Sequence, residues 1–169
     1  MATRLPEWIE PLRLAEKGVR LKGEIALSRM PRLGESLFDS SGQVSIDILF
    51  SKDVNGIPSA KGLVQARLQL LCQRCMAPMD LDINMELKLE LLADEGVINR
   101  LKDFDPLYVA TGPMSLAGLI EDELILTLPF APRHTEGQCS LDAQTGVPSI
   151  QPVAPGSPFA VLSRLKNSK

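Results

Sequence analysis

The chain has 169 residues, 44% of them apolar, only seven aromatics and a formal net charge of −3. That length suits one domain with a Leu, Ile, Val and Met core, and no apolar run approaches the ~18 residues of a membrane-spanning helix. The acidic balance, with a pI of about 5.2, excludes a protein that coats nucleic acid through bulk positive charge.

The first 18 residues lack the apolar centre of a secretory leader, and Glu7, Glu10 and Glu16 do not fit an organelle transit peptide. Three cysteines, an odd number, suit a reducing compartment, so a cytoplasmic location is expected. Pro11 fits the first turn of a short helix over residues 10–17. Val19, Leu21, Gly23, Ile25 and Leu27 alternate with mostly polar residues and predict a first strand. Residues 30–39 predict a helical turn with Leu33, Leu37 and Phe38 on one face. Val44, Ile46, Ile48 and Phe50 face inward on a second strand, and Asn55-Gly56 with Pro58 marks a turn.

Two further strands flank residues 70–80, LLCQRCMAPMD. Val64, Ala66, Leu68, Leu70 and Cys72 keep a period of two on one side. Leu81, Ile83, Met85, Leu87, Leu89 and Leu91 keep it on the other. The expected fold is α+β: an antiparallel meander of about four main strands with a long hairpin that carries Cys72-x-x-Cys75 at its turn. A packed helix follows over residues 115–128, with short helices near the termini. Residues 93–114 read as a long loop in which Phe104, Leu107, Tyr108 and Val109 tuck onto the sheet. Ser115 is the expected N-cap of the helix, and Pro129 ends it. Residues 1–140 are expected to form one α+β domain. Residues 141–157, rich in Pro, Gly and Ser, read as a flexible linker, and 158–169 as a short C-terminal helix.

Charge is unevenly placed. Residues 1–32 hold seven basic against four acidic side chains, a local charge of +3; residues 80–105 hold three against eight, a local charge of −5. Arg20 and Lys22 are thus candidate RNA contacts. Glu121, Asp122 and Glu123 are a candidate contact for a basic partner or an ordinary solvated helix face.

Cys72 and Cys75 place two soft donors at one tight turn. His134 and Cys139, 58 or more residues onward, add a nitrogen and a third sulfur from one loop. Three thiolates and an imidazole match a structural zinc site that pins the later loop to the hairpin tip. The alternatives are a buried strand cysteine with unremarkable neighbours, a redox pair, and a Cys–His nucleophile. A redox Cys-x-x-Cys normally opens a helix, whereas this one lies between strands. No Gly-rich phosphate loop, G-x-S-x-G or H-E-x-x-H is present, and no enzymatic activity is expected.

LLCQRCMAPMDLDI (70–83), LAGLIEDELILTLPFAPRHTEGQC (116–139) and PFAVLSRLKNSK (158–169), in this order and spacing, resemble the YceD family of large ribosomal RNA subunit accumulation proteins. The resemblance covers most of the chain, more loosely before residue 60. It rests on Cys72, Arg74, Cys75, Glu121, Asp122, Glu123, His134 and Cys139. It implies a part in the synthesis, processing or stability of large-subunit ribosomal RNA, with no enzymatic activity to carry over. An acidic chain with few aromatics lacks the footprint of a generic RNA binder. The expected mode is therefore a protein partner, a basic ribosomal protein or an rRNA-processing factor. Direct RNA binding through the basic N-terminal third, or a metal- or thiol-dependent nuclease, are the alternatives.

Overall fold

The computed structural model describes residues 5–53, 56–92, 105–109, 112–135 and 137–139. The expected linker at 141–157, the expected helix at 158–169 and Phe104 lie outside these residues. The chain divides into two compact units, Met1–His134 and Thr135–Lys169.

The first unit is a five-stranded sheet with helices, as the α+β pattern predicts. In chain order it contains β1 (Trp8–Ile9), α1 (Pro11–Lys17), β2 (Arg20–Ala26), a single 3-10 turn (Leu27–Arg29) and α2 (Pro31–Gly34). These are followed by β3 (Gln43–Lys52), β4 (Pro58–Leu71), β5 (Pro78–Leu92), β6 (Asp105–Tyr108), β7 (Met114–Ser115) and α3 (Leu116–Thr127). Strands β2 to β5 form the expected antiparallel meander. The sheet then gains β6, which pairs parallel to the end of β5, and β1 pairs with β7 as a separate two-stranded ribbon. A four-residue strand containing Pro106 carries too little periodicity to be read from sequence, and its pairing across a connection is non-local.

One sheet face builds the core. Val44, Ile46, Ile48, Phe50, Val64, Leu68, Leu87, Leu89 and Leu91 are buried on it, beneath helices that contribute Ala15, Leu33, Leu116, Leu119, Ile120 and Leu124. The opposite face is polar and stitched by ion pairs. Gly62 lies opposite Ile48, where an added Cβ would come 2.1 Å from the Asp47 carbonyl oxygen, so the β3–β4 approach requires glycine.

Helix ends follow local chemistry. Pro11 sits in the first turn of α1, and Gly18 ends that helix at a left-handed φ of 64°. The Ser115 hydroxyl accepts the Gly118 N–H at 3.1 Å, the N-cap the sequence predicts for α3. Phe38 departs from its expected inward role and is 54% exposed. Its N–H donates to the Gln69 carbonyl, so the segment runs beside β4 as an extended chain rather than continuing a helical face. Among the described residues no helix is long and apolar enough to cross a membrane.

Candidate metal centre

The β4–β5 ribbon carries the centre at its tip. Cys72 continues the inward parity of Leu68 and Leu70 and is fully buried. The turn then closes on itself: the Cys72 N–H donates to the Ala77 carbonyl and the Met76 N–H to the Cys72 carbonyl, both at 2.9 Å. Met76 takes a left-handed φ of 57° to complete the turn, which brings half-buried Cys75 back toward Cys72.

The segment after α3 docks on this knuckle. The Gln73 N–H donates to the Pro132 carbonyl at 2.8 Å. His134 follows two residues later, with Nδ1 3.4 Å from the Cys75 Sγ and Nε2 3.2 Å from the Pro78 carbonyl oxygen. A carbonyl only accepts, so Nε2 carries a proton and Nδ1 is the atom turned to the sulfurs. The Cys72, Cys75 and His134 donor atoms all lie within 4.8 Å of one another. Zinc bonds of ~2.3 Å to sulfur and ~2.1 Å to nitrogen make a tetrahedral S–N edge of roughly 3.6 Å, close to the Cys75–His134 separation. The arrangement can hold a metal ion.

Its electrostatics favour thiolate. Burial alone raises the Cys72 thiol. Backbone N–H groups of Cys75, His134 and Arg74, with the Cys75 side chain, outweigh it and bring the thiol down to about 5. His134 moves up from its ordinary value, first through its hydrogen bond to Cys72, against burial and with help from Cys75 and the Pro78 carbonyl. Both shifts favour a thiolate beside a protonated imidazole, and a cation binding there competes with any proton on Nδ1. His134 is oriented by a carbonyl rather than a carboxylate.

Cys139 belongs to the second unit. It is buried beside a short turn in which the Gln138 N–H donates to the Thr135 carbonyl at 3.1 Å. None of the three cysteines is in a disulfide.

The acidic triplet on α3 splits into different roles. Glu121 is only 3% exposed, against the expectation of a partner-facing residue. Its Oε1 accepts the Leu33 N–H at 3.0 Å and its Oε2 accepts Arg32 Nε and a terminal Arg32 nitrogen at 3.2 and 3.1 Å. It clamps α2 to α3. The signal was present in sequence: Glu121 falls four residues after Ala117 and three before Leu124, on the buried stripe. Asp122 is exposed and meets the same Arg32 at 2.6 Å. Glu123 is half-buried, and its carboxyl is pushed up first by burial and then by the negative charges of Asp105 and Asp122. Arg20 and Lys22 are exposed but share one carboxylate, Asp47, at 2.6 and 2.9 Å.

An α+β ribbon whose turn holds two cysteines closed by a histidine loop defines a small knuckle protein. The chain belongs to the YceD family: the family described as "Large ribosomal RNA subunit accumulation protein YceD" matches residues 60–166. A relative of that same description from Haemophilus influenzae is 30% identical over 168 residues, spanning 96% of this chain and 97% of the relative. No solved structure matches the chain.

Proposed function

We propose that this protein is a ribosome-biogenesis factor that supports synthesis, processing or stability of large-subunit ribosomal RNA. In this reading it acts without catalysis, by binding a basic ribosomal protein or processing factor. The family description and the Haemophilus relative's name supply the ribosomal context. The observation that carries the protein-partner mode is electrostatic. The Glu123 carboxyl is raised first by burial and then by the negative charges of Asp105 and Asp122, while Arg20 and Lys22 already share the Asp47 carboxylate. A cationic partner relieves the first group, whereas RNA must compete with Asp47 for the second.

Cys72, Cys75, His134 and Cys139 hold one structural zinc in this reading. Three of the ligands meet at the ribbon tip, and Cys139 is five residues beyond His134, a reach of up to ~17 Å. Elemental analysis of protein made with zinc and without chelators is expected to give one equivalent, lost in Cys75→Ser; less than about a tenth of an equivalent rejects the site.

The partner mode is tested with purified large-subunit ribosomal proteins. Binding is expected to fall with salt and to be abolished by the double reversal Asp122→Lys/Glu123→Lys, with Glu121 left intact because it holds the fold. Binding that survives the reversal removes the acidic-contact mode. Steep salt-dependent binding to ribosomal RNA alone, reduced by changing Arg20 and Lys22, replaces it with the direct mode.

A further inference from the structure

The surface beside the knuckle contains a groove of about 510 Å³. Its apolar walls come from three places: Leu37 after α2, Leu70 and Leu71 at the end of β4, and Ile125 and Leu128 at the end of α3. Phe130 stands at its edge with its side chain wholly in solvent, at 104% relative exposure. A large aromatic held out of the core beside an apolar groove is the pattern of an interface anchor, unlike a single scattered surface leucine.

The groove borders the metal centre. Gln73, inside the Cys-x-x-Cys turn, and Pro132, two residues before His134, both line it and are joined by the Gln73 N–H to Pro132 carbonyl bond. The knuckle therefore supplies a wall as well as a clasp. Among the described residues, Glu35 is the one charged side chain in the lining, and no cation lines the groove. A nucleic-acid strand would find no phosphate partner and one repelling carboxylate there. A protein segment with a bulky apolar anchor and flanking Lys or Arg finds complementary surface on both counts.

We infer that this groove docks an amphipathic, basic segment of the protein partner, with Phe130 at the rim as the aromatic anchor and Glu35 as the charge that orients it. The inference rests on the protein-partner reading above and names its surface. The binding mode is that of a helix or extended segment laid into an apolar groove.

The test measures fluorescence anisotropy of full-length protein with a labelled amphipathic peptide carrying Phe and Leu one helical turn apart and lysines on its opposite face. The same series is repeated with purified basic large-subunit ribosomal proteins. Phe130→Ala is expected to weaken binding about tenfold or more, in the range of a hot-spot loss. Glu35→Lys is expected to weaken it further and flatten its salt dependence. Leu126→Ala, which removes a side chain 80% exposed on α3 but outside the groove lining, is expected to leave affinity unchanged. Equal affinity of wild type and Phe130→Ala overturns the groove while leaving a partner at the acidic patch. Equal losses from Phe130→Ala and Leu126→Ala also overturn it, because nonspecific apolar adhesion then explains the binding. Absence of binding to any basic protein overturns the partner reading itself. A dimer mass in solution that Phe130→Ala abolishes assigns the groove to a second copy of this chain and overturns the partner class.

Discussion

The two ends of the β4–β5 ribbon are held by different chemistry. At the base, Phe50, Ala60, Leu87, Leu89 and Leu91 are all buried, and apolar packing suffices to fix the strands. Toward the tip the cover thins. Leu68 and Leu70 are still buried on β4, but their β5 partners Leu81 and Met79 are only half-buried. Polar cross-links take over there: Arg67 bonds Asp80 at 2.8 Å across the strands, and the cysteine–histidine cluster closes the end. A long hairpin outruns the core that a chain of this size can build, so its far end relies on directional bonds.

The strongest way to break this comparison is to remove the metal from zinc-loaded protein. Amide exchange is expected to lose protection around residues 72–78 and 129–134 while β3 and the base of β5 stay protected. The loss is several kcal/mol, in line with structural zinc, at roughly 2–4 °C of Tm per kcal/mol for this length. Simultaneous loss at base and tip makes the ribbon one cooperative unit and ends the distinction.

Glu121→Ala probes the other clasp, between α2 and α3. It leaves the Leu33 N–H without its acceptor and Arg32 with Asp122 alone, and is expected to cost about 1–3 kcal/mol in a urea titration. Zinc content should not change. A variant as stable as wild type shows that α2 and α3 are held by packing rather than by the carboxylate.

Acid sharpens the contrast in metal-free protein. The Cys72 thiol titrates near 5 when folded, below its ordinary value, so between these limits the unfolded chain binds more protons and stability rises with pH. His134 is shifted upward, so above its ordinary range the folded chain keeps a proton that the unfolded chain loses, which works the other way. Melting measured across pH is therefore expected to improve from about 5 to about 6.5 and then level off. In Cys72→Ser the acid limb should flatten.

The smallest effect is at Met76, whose left-handed backbone favours glycine. Met76→Gly is expected to stabilise the knuckle by less than ~1 kcal/mol, read as a slight rise in Tm. A fall in Tm shows that the Met76 side chain packs usefully despite its exposure.

Strands β2 to β5 were legible because each keeps one dry face at a strict period of two, and α3 because Ser115 and Pro129 mark its ends. That Cys72, Cys75 and His134 come together was legible from residue type and spacing. What escaped was carried by the backbone or by distant partners. The Pro78 carbonyl that orients His134 and the Pro132 carbonyl that docks the loop have no side-chain signature. Glu121 looked like one of three surface acids because its charge was read before its position on the helix. Arg32, 89 residues away in sequence, could not be assigned to it without the fold. Phe38 shows the converse, since it was expected on the inward face with Leu33 and Leu37 and stands in solvent.

β6 has a consequence for behaviour at high concentration. The outer strand of a sheet offers unpaired backbone groups that can recruit another chain and start aggregation. Here that strand is four residues long, and Pro106 lacks an N–H to offer. The opposite margin, β2, carries Arg20, Lys22 and Glu24, whose charges would have to be buried by a stacked neighbour. The sheet is therefore poorly suited to growing strand by strand, and self-association of this kind should stay low at both margins.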